Sequence, residues 1–215
     1  MAYLRRLISL GIAASILTVG TSYGAVVTPY ASRAAFLGVI GTSQTFDFNQ
    51  PYGPISVLGS ALSISTVGGD SSGQIYNYGG NHALCGSLGG GLDCFPAVLF
   101  TFLQPGKAFG YDNLDFTTRE EAVVTLSFAN ADPDQTFVFD LGGQPALTPI
   151  FFGAVSDVDI STVEIYSRTP GSDLVGARAN VIDNVTISSV PEPATIALFG
   201  VGLLGLGFSR RRKLA

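Results

Sequence analysis

One histidine and several pairs of carboxylates are the side chains of this sequence with the chemistry for catalysis. His82 is the only histidine, and its Gly-Gly-Asn-His context does not mark the base of a catalytic triad. Asp112 with Asp115, and Asp157 with Asp159, supply carboxylates in pairs, which a glycosidase places across its scissile bond. None of them lies in a Glu-x-Asp-x-x-Glu strand motif. We therefore expect no catalytic residue, and a secreted glycoside hydrolase is kept as an alternative.

Two tyrosines are candidates for ligand binding. Tyr76 and Tyr78 flank Asn77 in a strand-like stretch beside a glycine-rich segment. An aromatic face can stack on an apolar ring surface while the hydroxyl stays hydrated. Stacking on a sugar is one interpretation of this pair; the other is that both are ordinary strand aromatics with one buried edge.

The middle of the chain is strongly acidic. Between Ala25 and Ser189 the sequence has five basic and fifteen acidic residues, a formal net charge of −10, whereas the whole chain carries −5. The other six basic residues lie in the two terminal segments, together with only one acidic residue. Because so negative a surface repels nucleic acid, we expect no nucleic-acid partner.

The pattern of the central residues 25–189 predicts one all-β domain. The chain has 27 glycines and no tryptophan, and glycine inside a helix costs about 1 kcal/mol relative to alanine, which disfavours a helical bundle. Thr28-Pro29 and Ser32–Leu37 predict one short helix that ends at Gly38. About ten stretches of alternating residues predict an antiparallel β-sandwich: 44–48, 61–67, 74–78, 98–103, 108–116, 123–129, 136–141, 150–155, 163–167 and 179–188.

The first 24 residues have the layout of a secretory signal peptide. Arg5 and Arg6 precede the apolar run Leu7–Val19, and Ser22-Tyr23-Gly24 places small residues before a cleavage site at Ala25. Cleavage after Ser22 or Ala25, or retention of the segment as an N-terminal helix, are the alternatives.

Residues 190–215 have the layout of a membrane anchor. Val190-Pro191-Glu192-Pro193 is followed by the apolar run Ala194–Phe208 and by Arg210, Arg211, Arg212 and Lys213. A helix of that run would rise about 22 Å, against a hydrocarbon core of about 30 Å, so it suits a temporary anchor. The basic cluster should stop transfer and stay cytoplasmic, which leaves the central domain outside.

This C-terminal order resembles the PEP-CTERM sorting signal of Gram-negative bacteria. Pro191, Glu192 and Pro193 match its triplet, and Arg210–Arg212 match its basic end. The resemblance implies processing by exosortase, a membrane cysteine protease-transpeptidase, at the inner membrane, followed by release to the cell surface or the extracellular polysaccharide matrix. An ordinary anchor with an accidental triplet is the alternative.

Cys85 and Cys94 are the only cysteines. A pair of cysteines in an exported domain normally oxidises, so we predict a disulfide between them. A metal-binding or free thiol pair is the rival interpretation, although a zinc site needs more ligands than one histidine supplies.

Short stretches of the central domain resemble jelly-roll domains of the lectin or carbohydrate-binding type. They are Arg33–Leu37, Phe46–Asn49, Phe151–Asp157 and Ile182–Val185. The resemblance implies that Asp183, in the last strand, could be a ligand of a structural calcium ion; otherwise it would bond a neighbouring backbone N–H. No other cofactor is expected.

The leading hypothesis from the sequence is an exported, non-enzymatic protein that acts structurally or adhesively in a polysaccharide or biofilm layer. The alternative is a carbohydrate-binding module, with or without help from calcium.

Overall fold

The computed structural model describes residues 24–50, 53–67, 73–78, 81–85, 97–114, 120–141, 148–171 and 181–188. The sorting segment and all but Gly24 of the signal segment lie outside these ranges. None of the helices within them is long and apolar enough to cross a membrane. In chain order the elements are β1 (Val27–Tyr30), α1 (Arg33–Ile40), β2 (Ser43–Phe46), β3 (Gly53–Ile55), β4 (Val57–Leu58), β5 (Leu62–Thr66), β6 (Gly73–Tyr78), β7 (Asn81–Cys85), β8 (Val98–Phe102), β9 (Ala108–Asn113), β10 (Glu121–Phe128), β11 (Gln135–Asp140), β12 (Ile150–Ser156), β13 (Ile160–Arg168) and β14 (Val181–Ser188).

The strands form two antiparallel sheets. The eight-stranded sheet has the order β1-β12-β9-β14-β7-β6-β3, and β2 also pairs with β14. The six-stranded sheet has the order β11-β10-β13-β8-β5-β4. The predicted all-β class and antiparallel sheets are thereby confirmed, and the described residues contain one short helix, as predicted. The prediction of about ten strands was too low, since fourteen lie within the described residues.

The core lies between the two sheets and is rich in aromatic rings. Phe100 of the six-stranded sheet contacts Phe109 of the eight-stranded sheet, with ring centroids 5.3 Å apart. Farther along the core, Phe139 stacks on Phe152 at 5.3 Å and Tyr111 contacts Phe152 at 6.2 Å. Such aromatic pairs contribute about 0.5–1.5 kcal/mol beyond the burial of their area. The alternating residues of β8, β9, β11 and β12 therefore serve mainly to close this sandwich.

The helix α1 begins later and extends farther than the sequence predicted. Ser32 is its N-cap and accepts a hydrogen bond from the backbone N–H of Ala35, whereas Thr28 and Pro29 belong to β1. The helix passes through Gly38 and ends at Gly41, whose φ of +66° is the conformation that glycine adopts most readily. The predictions of a cap at Thr28 and an end at Gly38 were wrong, because pairing with β12 draws Thr28 and Pro29 into an edge strand.

A floor of two glycines lets α1 rest on the outer face of the eight-stranded sheet. Gly110 of β9 lies opposite Gly153 of β12, and the fully buried ring of Phe36 covers them. A Cβ on Gly153 would lie 2.7 Å from Phe36 Cδ2, and one on Gly110 would lie 3.0 Å from Phe36 Cε1. Only glycine leaves room for this contact, which places the start of α1, and with it Arg33, over β9 and β14.

Candidate functional site

The last strand carries a β-bulge that turns two consecutive polar residues toward the outer face of the sheet. Ile182 and Val185 both belong to the core cluster, and the register of β14 against β9 shifts between Asp183 and Thr186. Asn184 has a φ of +48°, a left-handed conformation that asparagine tolerates better than most residues. The bulge therefore sets Asp183 and Asn184 beside Asp112 of β9.

The amide of Asn184 links two carboxylates. Its Nδ2 donates to Asp112 Oδ2 at 2.9 Å and to Asp183 Oδ2 at 3.3 Å. Its backbone N–H donates to Asp183 Oδ1 at 2.7 Å, which is the structural role that the sequence left open for Asp183. Asp112 is only 7% exposed, so its charge requires a partner of opposite sign.

Arg33 is that partner. Its Nη2 lies 3.0 Å from Asp112 Oδ2 and donates to the carbonyl of Asn184 at 2.9 Å, while Nη1 donates to Thr186 Oγ1 at 2.7 Å. The guanidinium carbon also lies 4.7 Å from the centroid of the Phe151 ring. This combination of ion pair, directed donors and cation–π contact uses the planar geometry that distinguishes arginine from lysine. We call Arg33, Asp112, Asp183, Asn184 and Thr186 the bulge site.

Asp183 is the titratable group of the bulge site. Its pKa is raised to about 6 from the usual 3.8, chiefly by burial and in part by the charges of Asp112 and Asp47, against the lowering effect of the Asn184 N–H and of the Arg33 cation. Asp47 is itself held by the side chain of Asn49, whose Nδ2 donates to Asp47 Oδ2 at 3.0 Å. The site therefore changes charge in the mildly acidic range.

The bulge site has carboxylate oxygens of the kind that a calcium ion binds. Within the ranges that the structure describes, no three side chains of His, Cys, Asp or Glu are arranged to hold a metal ion. Calcium prefers six to eight oxygens, so Asp183 and its neighbours would need carbonyls and water to complete the shell. Calcium binding through Asp183 stays a prediction.

Of the tyrosines and cysteines that the sequence singled out, the structure describes the side chains of Tyr76 and Cys85. Tyr76 is 5% exposed and packs in a small cluster with Ala83, Cys85, Leu114 and Val181. Its ring offers little open surface, which argues against a sugar platform there. The side chain of Tyr78 and the whole of Cys94 lie outside the described residues, so the stacking role of Tyr78 and the Cys85–Cys94 disulfide stay predictions.

The predicted sorting residues also lie outside the described ranges. They are Pro191, Glu192, Pro193, Arg210, Arg211, Arg212 and Lys213. The structure describes the chain up to Ser188 of β14, and two residues separate Ser188 from the first of them.

A groove that the sequence did not predict runs along one open side of the sandwich. It has a volume of about 450 Å³ and lies between β11 of one sheet and β1 and β12 of the other. Half of its lining residues are aromatic, and Asp140 is also among them. The aromatic residues are Tyr30, Phe137, Phe139, Phe151 and Phe152. We call it the aromatic groove. The alternation in β11 indicated that Phe137 and Phe139 share a face, but only the packing of the two sheets sets them against Phe152.

Three of the solved structures that are similar to this chain share little sequence with it. A single-site variant of the family 29 carbohydrate-binding module CBM29-2, complexed with cellulohexaose, is 14% identical, with a TM-score of 0.38, and the match covers 68% of this chain and 92% of that one. A second family 29 module is 14% identical at a TM-score of 0.38, over 71% and 97% of the two chains. The CBM22-1–GH10 modules of the Clostridium thermocellum xylanase Xyn10B are 11% identical at 0.32, over 70% of this chain and 28% of that one.

The comparisons with sequences concern the C-terminus alone. No curated protein matches the chain. Residues 189–213 match the family model described as the PEP-CTERM protein-sorting motif, so the chain carries this motif directly after its last strand.

Proposed function

We propose that this protein is exported, held in the inner membrane of a Gram-negative cell by residues 190–215, and processed by exosortase for the cell surface or extracellular matrix. The observation that carries the proposal is the sorting motif at residues 189–213. The order of its parts supports it: a rigid Pro-Glu-Pro, an apolar run and a basic stop are what membrane capture and cleavage require.

We propose a non-enzymatic role for the exported domain, structural or adhesive within a polysaccharide layer. Two features support this. The outer-face polar groups of the bulge site are engaged in holding α1 to the sheet, through the ion pair of Arg33 and Asp112. The domain's net charge of −10 also favours a hydrated, mutually repelling surface that meets anionic polymers only through bridging cations.

The test of sorting is the intact mass of the exported protein in cells with and without exosortase. Processing predicts a C-terminus near Pro191–Pro193 only when the enzyme is present. A variant with Glu192→Ala tests the triplet, and replacement of Arg210, Arg211 and Arg212 by serine tests the stop-transfer cluster. A released protein that still ends at Ala215 in exosortase-containing cells would contradict the proposal.

A second candidate function is carbohydrate binding by a jelly-roll-like module, and the aromatic groove is the observation that favours it. The groove is lined by residues of both sheets and offers aromatic rings beside the carboxylate of Asp140, a combination of stacking and hydrogen-bonding groups that suits a sugar. The test is a polysaccharide binding panel with and without a calcium chelator.

Two variants separate the possible sites. Binding that is lost with Asp183→Ala or with chelator assigns it to a calcium-dependent bulge site. Binding that is lost with Phe137→Ala, but persists in chelator, assigns it to the groove. Absence of binding to every polysaccharide leaves the structural role.

A further inference from the structure

The chain enters and leaves the sandwich at the same end. Val26, just before β1, accepts a hydrogen bond at its carbonyl from the N–H of Asp157 at 3.2 Å. The preceding residue of that turn, Ser156, donates its N–H to the carbonyl of Lys107 at 2.7 Å. The N–H of Lys107 donates in turn to Ser188 Oγ at 3.4 Å. These three hydrogen bonds thus connect the first and last described segments.

We call this region the exit end and define it by Val26, Lys107, Asp157, Ser188 and the turn 103–105. The strands between the exit end and the opposite end are up to nine residues long, or about 30 Å at 3.3 Å per residue. Both terminal segments leave the domain from the exit end. Neither segment therefore has to run the length of the domain to reach a membrane surface at that end.

The distance from the exit end to the sorting triplet is short. Only Ser189 and Val190 separate Ser188 from Pro191, and three fully extended residues reach about 10 Å. When the peptide bond to be cut, near Pro191, lies at the membrane surface, the folded domain is therefore held within about 10 Å of the lipid headgroups.

The last strand cannot peel away to lengthen this tether. β14 pairs with β9 on one side and with β7 and β2 on the other. Its residues Ile182, Val185 and Ile187 are at most 4% exposed. Exposing each would cost about 1.5–3 kcal/mol, and together this approaches the 5–15 kcal/mol that stabilises an entire domain.

The surface of the exit end is suited to lipid headgroups. Leu103 is 53% exposed and Val26 is 61% exposed, and Pro105 between β8 and β9 is also exposed. Lys107, the only lysine of residues 25–189, donates from its ammonium to the carbonyl of Asp157 at 2.7 Å. Apolar side chains beside a cation contact the membrane interface favourably. Asp157 and Asp159 line a surface pocket together with Lys107, so this end carries charges of both signs.

We propose that the exit end is a membrane-docking surface, held flat on the outer lipid headgroups until the sorting segment is cut. This inference rests on the proposed sorting function, and adds to it which side of the domain faces the membrane. The opposite end, and with it the far parts of the bulge site and the aromatic groove, then points outward during anchoring.

The absence of tryptophan from the chain allows a clean test. Leu103→Trp places a single probe at the exit end, and Val67→Trp places one at the opposite end, on a side chain that is similarly exposed, at 42%. Each exported, unprocessed variant is purified from cells without exosortase and reconstituted in phosphatidylcholine vesicles that carry a nitroxide quencher on the headgroup. A matched pair of variants has about 20 glycine and serine residues inserted after Ser189, a tether that reaches about 25 Å.

We expect several-fold stronger quenching of the probe at position 103 than of the probe at position 67, and loss of that difference in the variants with the long tether. Equal quenching at both positions without the insert, or stronger quenching at position 67, would overturn the docking surface alone. If the proteins do not associate with vesicles at all, membrane anchoring by the sorting segment is wrong, and the docking surface falls with it.

Discussion

The bulge site and the aromatic groove both include residues of the eight-stranded sheet, but they differ in polarity and in openness. The bulge site is polar, and its carboxylates, amide and guanidinium bind one another. The groove is largely apolar and open, with rings that contact each other but leave a volume of about 450 Å³. Polar groups that satisfy one another stabilise the fold, whereas unfilled apolar surface is available to a ligand.

Phe151 connects the two regions. The centroid of its ring lies 4.7 Å from the guanidinium carbon of Arg33 and 5.5 Å from the ring centroid of Phe36. The same side chain lines the groove. Changes in the bulge site that release α1 should therefore also reshape the groove, while changes in the groove should leave the ion pair intact.

The largest effect is expected from Arg33→Ala. The substitution leaves the buried carboxylate of Asp112 without its cation and removes the bonds to Thr186 and Asn184, so the free energy of unfolding should fall by about 3 kcal/mol. Urea denaturation measures it. Arg168→Ala is the matched control. Both side chains of its 3.0 Å ion pair with Glu121 are partly exposed to solvent, so the pair should contribute about 1 kcal/mol or less to stability. Equal losses from both variants would contradict the special role of the bulge site.

The next largest effect is expected from Gly153→Ala. The added Cβ would meet Phe36 at 2.7 Å and Phe151 at 2.9 Å, so α1 must shift, at about 1–3 kcal/mol. Gly38→Ala is the control, since that position lies within α1 and a Cβ there meets nothing within 4 Å. It should stabilise the protein by up to about 1 kcal/mol. Thermal unfolding of both variants should move in opposite directions; a shift in the same direction would show that the glycine floor does not matter.

A smaller effect is expected from pH. Because Asp183 has a pKa of about 6 in the folded protein against 3.8 normally, the folded state binds its proton more tightly than the unfolded state. The contribution of Asp183 to the free energy of unfolding is therefore greatest below pH 4 and is lost as the pH rises through 6. Partial exposure limits the loss to roughly 1 kcal/mol.

The variant Asp183→Asn isolates this contribution. Subtracting its pH profile of unfolding free energy from that of the wild type cancels the contributions of other titratable groups. One of these is Glu164, whose pKa is raised by burial and by Asp134. The difference should fall with pH between about 4 and 6. A difference that rises with pH would mean that Arg33 dominates over burial.

The smallest effect on stability is expected in the groove. Tyr30→Ala removes a half-buried ring whose nearest aromatic contact, with Phe36, is 6.0 Å, and any polysaccharide bound in the groove should lose several-fold in affinity. Val57→Ala, on an exposed residue of β4 in the other sheet, is the control for binding by titration calorimetry. Unchanged affinity in Tyr30→Ala would place the ligand elsewhere.

The sequence predicted several strands well because their alternation is local. β8, β10 and β11 were placed to within a few residues. β1, β3, β4 and β7 were missed, since each is short and carries proline, glycine or few β-favouring residues. Such segments become strands only when a neighbour supplies the hydrogen bonds, as β12 does for β1.

The sequence alone determined the all-β class, the acidity of the exported domain and the sorting motif, because alternation, charge and a contiguous motif are properties of nearby residues. Only the tertiary structure decided that Arg33 pairs with Asp112, that Phe36 rests on Gly110 and Gly153, and that Val26 and Ser188 lie at one end. These contacts join residues far apart in the chain, and strand register and core packing select them. No local pattern encodes that selection.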